Sequence, residues 1–245
     1  MVFKKTAIIG AAIIIFVSYF SSAQMQGGRF VFSQLKYEGN WDTDPEAYAN
    51  IYQYMVNTTS IKALPERRII SIDDPLLFNS PFLVISGSGS FPEFSGQQLI
   101  RFKRYIEGGG MIFVDSDGNE EFNTSIDGMF RKIFPDRKFF KIPQEHAVFR
   151  AFYLIDYVSG RSINFPYLEY IETEGRIAVI KSRNSLLGVW ARDAMGNWKN
   201  ALMPDKPDQR KEAIKLSLNM IMYSVCETYK SDPVHQGDIR RKLGR

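Results

Sequence analysis

The chain has a single cysteine, Cys226, among its 245 residues. No intrachain disulfide can form, so an apolar core has to hold the folded body together. Cys226 sits inside an apolar helical pattern and not on a strand-to-helix elbow, which reads as a small buried hydrophobe and not as a nucleophile. Histidine is almost as scarce. His146 and His235 are the only two, which excludes a metal site built from several histidines of one chain. The sequence contains no G-x-S-x-G nucleophile elbow, no internal repeat and no low-complexity linker. Past residue 20 it contains no apolar run approaching the roughly 20 residues of a membrane span.

An excess of one charge is missing as well, although the formal charge of +4 and the isoelectric point near 9.0 suggest otherwise. Lys4 and Lys5 form a positive start, Thr6 to Phe20 an apolar run, and Ser21-Ser22-Ala23 a small-residue cleavage site before Gln24. This pattern predicts a secretory signal peptide over residues 1–23, cleaved after Ala23, with an uncleaved N-terminal membrane anchor as the alternative. No stable membrane span is expected once the signal is removed, and the folded body is expected to be periplasmic or secreted. Removing those residues lowers the formal charge to +2. The basic tail at 236–245 carries four more cations in Arg240, Arg241, Lys242 and Arg245, which leaves the body slightly acidic. A nucleic-acid surface is therefore not expected.

What is present is an ordinary globular composition, 44% hydrophobic and 24% charged, over a length that suits one α/β domain, here 24–235. Its centre is Gly108-Gly109-Gly110 followed by Met111-Ile112-Phe113-Val114 and the acidic turn Asp115-Ser116-Asp117-Gly118. Glycines stop a helix, and an unbroken apolar run suits a parallel strand covered on both faces. Pro81 to Ile85 is a second such run. It delivers Gly87-Ser88-Gly89 to a strand end, and Ser95 then caps a helix with Leu99, Phe102 and Ile106 on one face. Strand, loop, helix, glycine stop and strand make a right-handed βαβ unit.

Around this unit, Phe30–Leu35 and Arg68–Ile72 read as strands, and Asp44-Pro45 reads as the cap and first turn of a helix carrying Tyr48, Ile51, Tyr52 and Met55. Ser125–Phe134 reads as a short helix and Arg137–Ile142 as an edge strand. Tyr167–Ile171 and Arg176–Ile180 form a hairpin around Thr173-Glu174-Gly175. Gly188–Leu202 is a surface excursion, and Pro207–Tyr229 is a long helix. The alternation predicts a three-layer α/β sandwich with a mostly parallel sheet.

Several blocks resemble a bacterial domain-of-unknown-function family: Phe30-Val31-Phe32 with Leu35-Lys36-Tyr37 and Trp41, Pro81 through Gly89, Tyr105 through Gly109, Val114 through Gly118, Glu145 through Phe149, and Met222-Tyr223 onward to His235. The resemblance implies a flavodoxin-like fold similar to that of class I glutamine amidotransferases. It also implies genes neighbouring von Willebrand A domain proteins and MoxR-type ATPases, and it brings no assigned reaction. Relatives usually carry a histidine where Ser88 stands and adjacent aspartates where Ser116 separates Asp115 from Asp117.

Candidate chemistry gathers at the expected strand ends. Gly87, Ser88 and Gly89 can offer backbone N–H groups to an anion. Asp115 and Asp117 offer oxygens to a hard cation, although the spacing is not that of an EF-hand. The other reading of that turn is an acidic loop that caps the next helix. Glu145 and His146 lie in a loop, where His146 is a general base, a single ligand or a structural residue. Tyr37, Trp41, Phe91, Phe94, Tyr153 and Trp190 are either a stacking rim or a cover for the core. The leading expectation is a non-catalytic module binding an envelope protein or a small ligand, through Gly87, Ser88, Gly89, Asp115, Asp117, Glu145, His146, Tyr37 and Trp41, with no cofactor. The alternative is an envelope hydrolase using Ser88, His146 and Asp115 or Asp117.

Overall fold

The computed structural model describes residues 29–230, with side chains as far as Val225. The expected signal segment at 1–23, the Cys226 side chain, His235 and the tail at 236–245 lie outside the described residues. Seven strands form one sheet: β1 (Ser33–Leu35), β2 (Arg68–Ile70), β3 (Phe82–Gly87), β4 (Met111–Ser116), β5 (Phe140–Lys141), β6 (Glu169–Thr173) and β7 (Arg176–Ser182), in the spatial order β2-β1-β3-β4-β7-β6-β5. The pairs β1–β2, β1–β3, β3–β4 and β4–β7 are parallel, and β6 and β5 add to the far edge as an antiparallel extension. The two apolar runs lie side by side in parallel, from Phe82 opposite Met111 to Gly87 opposite Ser116. Both are buried throughout.

Burial on both faces explains the lack of polar alternation in these runs. Phe82, Val84, Met111 and Phe113 point to one side, and Leu83, Ile85, Ile112 and Val114 to the other. The first side packs against α1 (Ala47–Thr58) and α4 (Gln209–Lys230). The second packs against α2 (Gly96–Glu107) and α3 (Glu120–Ile133). The result is the three-layer α/β arrangement. Among the described residues no helix is long and apolar enough to cross a membrane.

Local chemistry sets the element boundaries. Ser95 and Gln98 form a reciprocal capping box at the start of α2. At its end Gly109 adopts φ +103, and a Cβ on Gly110 would lie 2.3 Å from the Tyr105 ring, so the turn into β4 needs glycine on both counts.

Several expected boundaries move: β1 begins at Ser33 and not Phe30, β2 ends at Ile70 and not Ile72, β5 keeps only Phe140–Lys141 of the expected Arg137–Ile142, and the hairpin strands run to Thr173 and Ser182. Three further shifts bear on the site. The α1 cap position is Glu46, without a side-chain cap bond, because the Asp44 carboxylate accepts from Asn200 Nδ2 at 2.9 Å instead. Helix α3 begins at Glu120, five residues ahead of the expected Ser125. Asn119 caps it by accepting from the Phe122 N–H at 2.8 Å, and Glu120 and Glu121 face its positive end. Strand β4 runs on to Ser116, which takes Asp115 out of the turn and into the sheet.

Candidate functional site

Four adjacent parallel strands end in polar side chains on the α1/α4 side of the sheet: Gln34 from β1, Ser86 from β3, Asp115 from β4 and Ser182 from β7. Each continues the parity of the apolar residues before it, and all four are buried. Gln34 Nε2 donates to the Trp41 carbonyl and to Ser86 Oγ, both at 3.0 Å, and Ser86 Oγ donates to the same carbonyl at 2.9 Å. Arg67 closes this layer with a fork onto Asp42 at 2.5 and 2.7 Å and a bond to Gln34 Oε1. Its guanidinium stands 4.7 Å from the centre of the Tyr48 ring and 5.8 Å from that of Trp41. The Tyr48 hydroxyl is buried, and burial holds its pKa far above the ordinary value.

Asp115 is the centre of this layer. It is 4% exposed, and its two oxygens accept from the backbone N–H groups of Leu186 at 3.0 Å and Leu187 at 2.7 Å. Burial pushes its pKa up to about 7, against the lowering effect of those two bonds, and the like charge of Asp44 adds to the rise. The carboxylate thereby latches the end of β4 to the segment leaving β7. The Ser185 N–H donates to the Ser116 carbonyl at 2.9 Å in the same junction.

The other residues expected at the site have separate partners. The Ser88 N–H donates to the Asn40 carbonyl at 3.1 Å, and Asn40 Nδ2 donates to Ser88 Oγ at 2.6 Å. The Gly89 N–H donates to Asn119 Oδ1 at 3.1 Å. The anion cradle expected there has therefore given two of its donors to the protein itself. Gly87 is close-packed, since an added Cβ would stand 1.8 Å from the Tyr37 hydroxyl. Asp117 pairs with Arg161 on the surface.

His146 Nδ1 accepts from the Val148 N–H at 3.2 Å, capping the short turn Ala147–Arg150, and its ring meets Tyr223 of α4 edge-on. Glu145 is exposed, and its carbonyl accepts from Arg150. The strand before His146, β5, lies four positions from β3 in the sheet, about 19 Å at the usual strand spacing. The serine–histidine–aspartate constellation is therefore not brought together: Ser88 is held by Asn40, Asp115 by backbone amides and Asp117 by Arg161. Among the described residues no group of three acidic, histidine or cysteine side chains is placed to hold a metal ion.

The aromatics divide between the two cores and form no single rim. Tyr37 and Phe91 are buried on the α2/α3 side, where Trp41 and Phe94 pack against them. Trp190 is buried on the α1/α4 side, and Tyr153 packs there. The Tyr37 hydroxyl donates to the Ser86 carbonyl at 3.0 Å.

Two features were not anticipated from the sequence. Lys181 on β7 is fully buried on the α2/α3 side, with Nζ 2.6 Å from Asp127 and 3.0 Å from Glu169 and 3.9 Å from the centre of the Phe139 ring. Arg183 joins the same two carboxylates. The one signal for it was a lysine directly after the apolar run Ile177–Ile180.

The second feature is how firmly the loop 191–203 is held within the expected excursion Gly188–Leu202, whose first residues, Gly188 to Trp190, are instead buried. The loop exposes Met195 (88%), Met203 (59%) and Trp198 (40%), yet it is closely braced. Arg192 and Arg210 stand 3.5 and 4.4 Å from the centre of the Trp198 ring. Arg210 donates to the Val189 and Asn200 carbonyls, Lys199 pairs with Glu46, and the Met203 N–H donates to the Arg161 carbonyl.

The molecule is thus a three-layer α/β protein with a mostly parallel sheet, with a polar layer at its strand ends that turns inward. The chain belongs to the DUF4159 family, a domain of unknown function, whose model matches residues 31–225. The comparison with curated proteins gave no match.

Proposed function

We propose that the protein is a non-catalytic partner-binding module of the bacterial cell envelope, exported by its N-terminal signal and built on a flavodoxin-like, amidotransferase-like scaffold. The scaffold assignment is supported by the order of the five parallel strands, β2-β1-β3-β4-β7, which follows the 2-1-3-4-5 pattern of flavodoxin-like sheets. The observation that carries the binding role is the loop 191–203. Methionine and tryptophan are enriched in protein interfaces, and here they are held out to solvent by a loop fixed through ion pairs and carbonyl bonds. Exposed apolar groups on a rigid support lose little conformational entropy on docking. The gene neighbourhood implied by the family resemblance makes a protein of an envelope assembly the first partner to test.

The test has two arms. On glutamine, ester and glycoside panels the purified protein should show no turnover; robust activity abolished by Ser88→Ala or His146→Ala would establish the hydrolase reading in its place. In titrations with a von Willebrand A domain protein of the kind the family resemblance implies as a gene neighbour, the double variant Met195→Ser/Trp198→Ser should bind at least about tenfold more weakly than the unaltered protein. Equal binding by the two would remove the loop from the interface.

A further inference from the structure

Away from the strand ends, the outer side of α2 and the segment Asp73–Asn79 enclose a groove of about 420 Å³ lined by Asp73, Phe78, Gln97, Ile100, Arg101 and Arg104. Helix α2 buries Phe102, Tyr105 and Ile106, so Ile100 on its outer side has no core to serve. It is 55% exposed, with Phe78 (39%) facing it across the groove and Leu76 exposed on the same short turn. We propose that this groove is a docking site for a partner-protein segment that presents a bulky apolar side chain flanked by carboxylates.

Three observations support this. The apolar part of the partner is called for by Ile100 and Phe78, which lose their exposed surface when a side chain fills the space between them. The carboxylates are called for by the two guanidiniums in the lining. Arg101 is already fixed, with Nε on the Ile72 carbonyl at 2.8 Å, Nη2 on the Asp74 carbonyl at 2.9 Å and the carbon of its guanidinium 5.1 Å from the centre of the Phe78 ring. Arg104 lies one turn further along and its guanidinium has no partner among the described residues, which leaves a fork suited to a carboxylate.

The third observation is that the groove is preformed. Asp74 accepts from the Leu76 N–H at 2.8 Å, Gln98 Nε2 donates to Asp73 at 2.7 Å, and Ser80 Oγ donates to the Leu76 carbonyl at 3.0 Å. Asp73 at the other end repels a partner's carboxylates and so directs them toward Arg104. A wall this exposed cannot enclose most of a small ligand, as small-molecule pockets do, whereas an extended peptide needs only to lay one or two side chains into it.

The experiment uses the mature chain and two short fluorescein-labelled peptides, each with a leucine-phenylalanine pair, flanked in one by aspartates and in the other by lysines. Fluorescence anisotropy should show the acidic peptide bound at least about tenfold more tightly, with about tenfold loss on Ile100→Asp and on Arg104→Glu. Both changes are on the surface, so the fold is retained, and Met195→Ser should leave this binding unchanged. Failure of the acidic peptide to bind, or equal binding of both peptides, overturns the proposal. Sedimentation velocity closes the remaining route: a dimer abolished by Ile100→Asp would make a second copy of the chain the occupant and would equally overturn it.

Discussion

Replacing Asp115 by asparagine should change how stability depends on pH, in a direction opposite to that of most carboxylates. An aspartate paired with a cation has a depressed pKa and stabilises the fold more as pH rises. Asp115 has neutral partners, the Leu186 and Leu187 N–H groups and Ser182, and its pKa is raised to about 7. Between the ordinary carboxylate value and about 7 the folded protein therefore binds more protons at this site than the unfolded chain. Its contribution is complete below the unfolded value and is lost as pH rises through about 7. At about 1.4 kcal/mol per pH unit, that window corresponds to on the order of 4 kcal/mol. Asparagine does not titrate. It keeps one acceptor for the latch and sets an amide donor against the other backbone N–H, at a pH-independent cost of about 1–3 kcal/mol. Urea unfolding of both proteins from pH 4 to pH 9 measures the difference, in which all other titrating groups cancel. The advantage of the wild type over Asp115→Asn should shrink by several kcal/mol across the window and level off above about pH 8. A difference that stays constant, or one that grows with pH, would refute the assignment of burial as the dominant influence on this carboxylate.

Gly87→Ala places a methyl group 1.8 Å from the Tyr37 hydroxyl and 2.8 Å from the Asn40 carbonyl; thermal unfolding should show a loss of about 1–3 kcal/mol from overpacking. Asp127→Ala deprives the buried Lys181 of its shortest ion pair and should destabilise by about 3 kcal/mol, whereas Lys181→Met removes the buried charge itself and should cost clearly less. Equal losses in chemical unfolding would contradict that ordering. Asn219 of α4 accepts from the Phe152 and Tyr153 N–H groups and donates to the Val148 and Tyr153 carbonyls. Asn219→Leu should therefore lower global stability by about 2–4 kcal/mol and speed amide exchange selectively at Phe152 and Tyr153.

The central strands were legible because Phe82–Ile85 and Met111–Val114 are covered on both faces, and a doubly covered strand writes an unbroken apolar run into the chain. The site was legible only in part. Asp115 was recognisable as an acid at a strand end, but a local pattern cannot tell a strand's last buried carboxylate from the first exposed one of a turn, and the difference decides its pKa. Asn119 showed the same ambiguity. Its side chain caps α3 and also holds Gly89, a contact thirty residues away that no spacing rule encodes. Lys181 was hidden by its neighbours, since a lysine after four apolar residues looks like a strand leaving the core until Asp127 and Glu169 arrive from other elements. The reading of Gly188–Leu202 as a surface excursion fits the exposed stretch 193–199 but not Gly188 to Trp190, which are buried in the core. The Lys199–Glu46 ion pair and the Asn200–Asp44 hydrogen bond join segments more than 150 residues apart, so the rigidity of the loop could not be inferred.

The pairing of β4 with β7 carries an expectation about the order of events during folding. Strands β1 to β4 can assemble among themselves, but Asp115 sits opposite Ser182, and everything between them, including α3 and the β5–β6 segment, must first be accommodated. Because so long an excursion must close before the contacts that reward it, the middle of the sheet is expected to be among the last parts to form. Until then the edge of β4 that later pairs with β7 is expected to keep its backbone amides unpaired, which makes it the edge most open to mispairing.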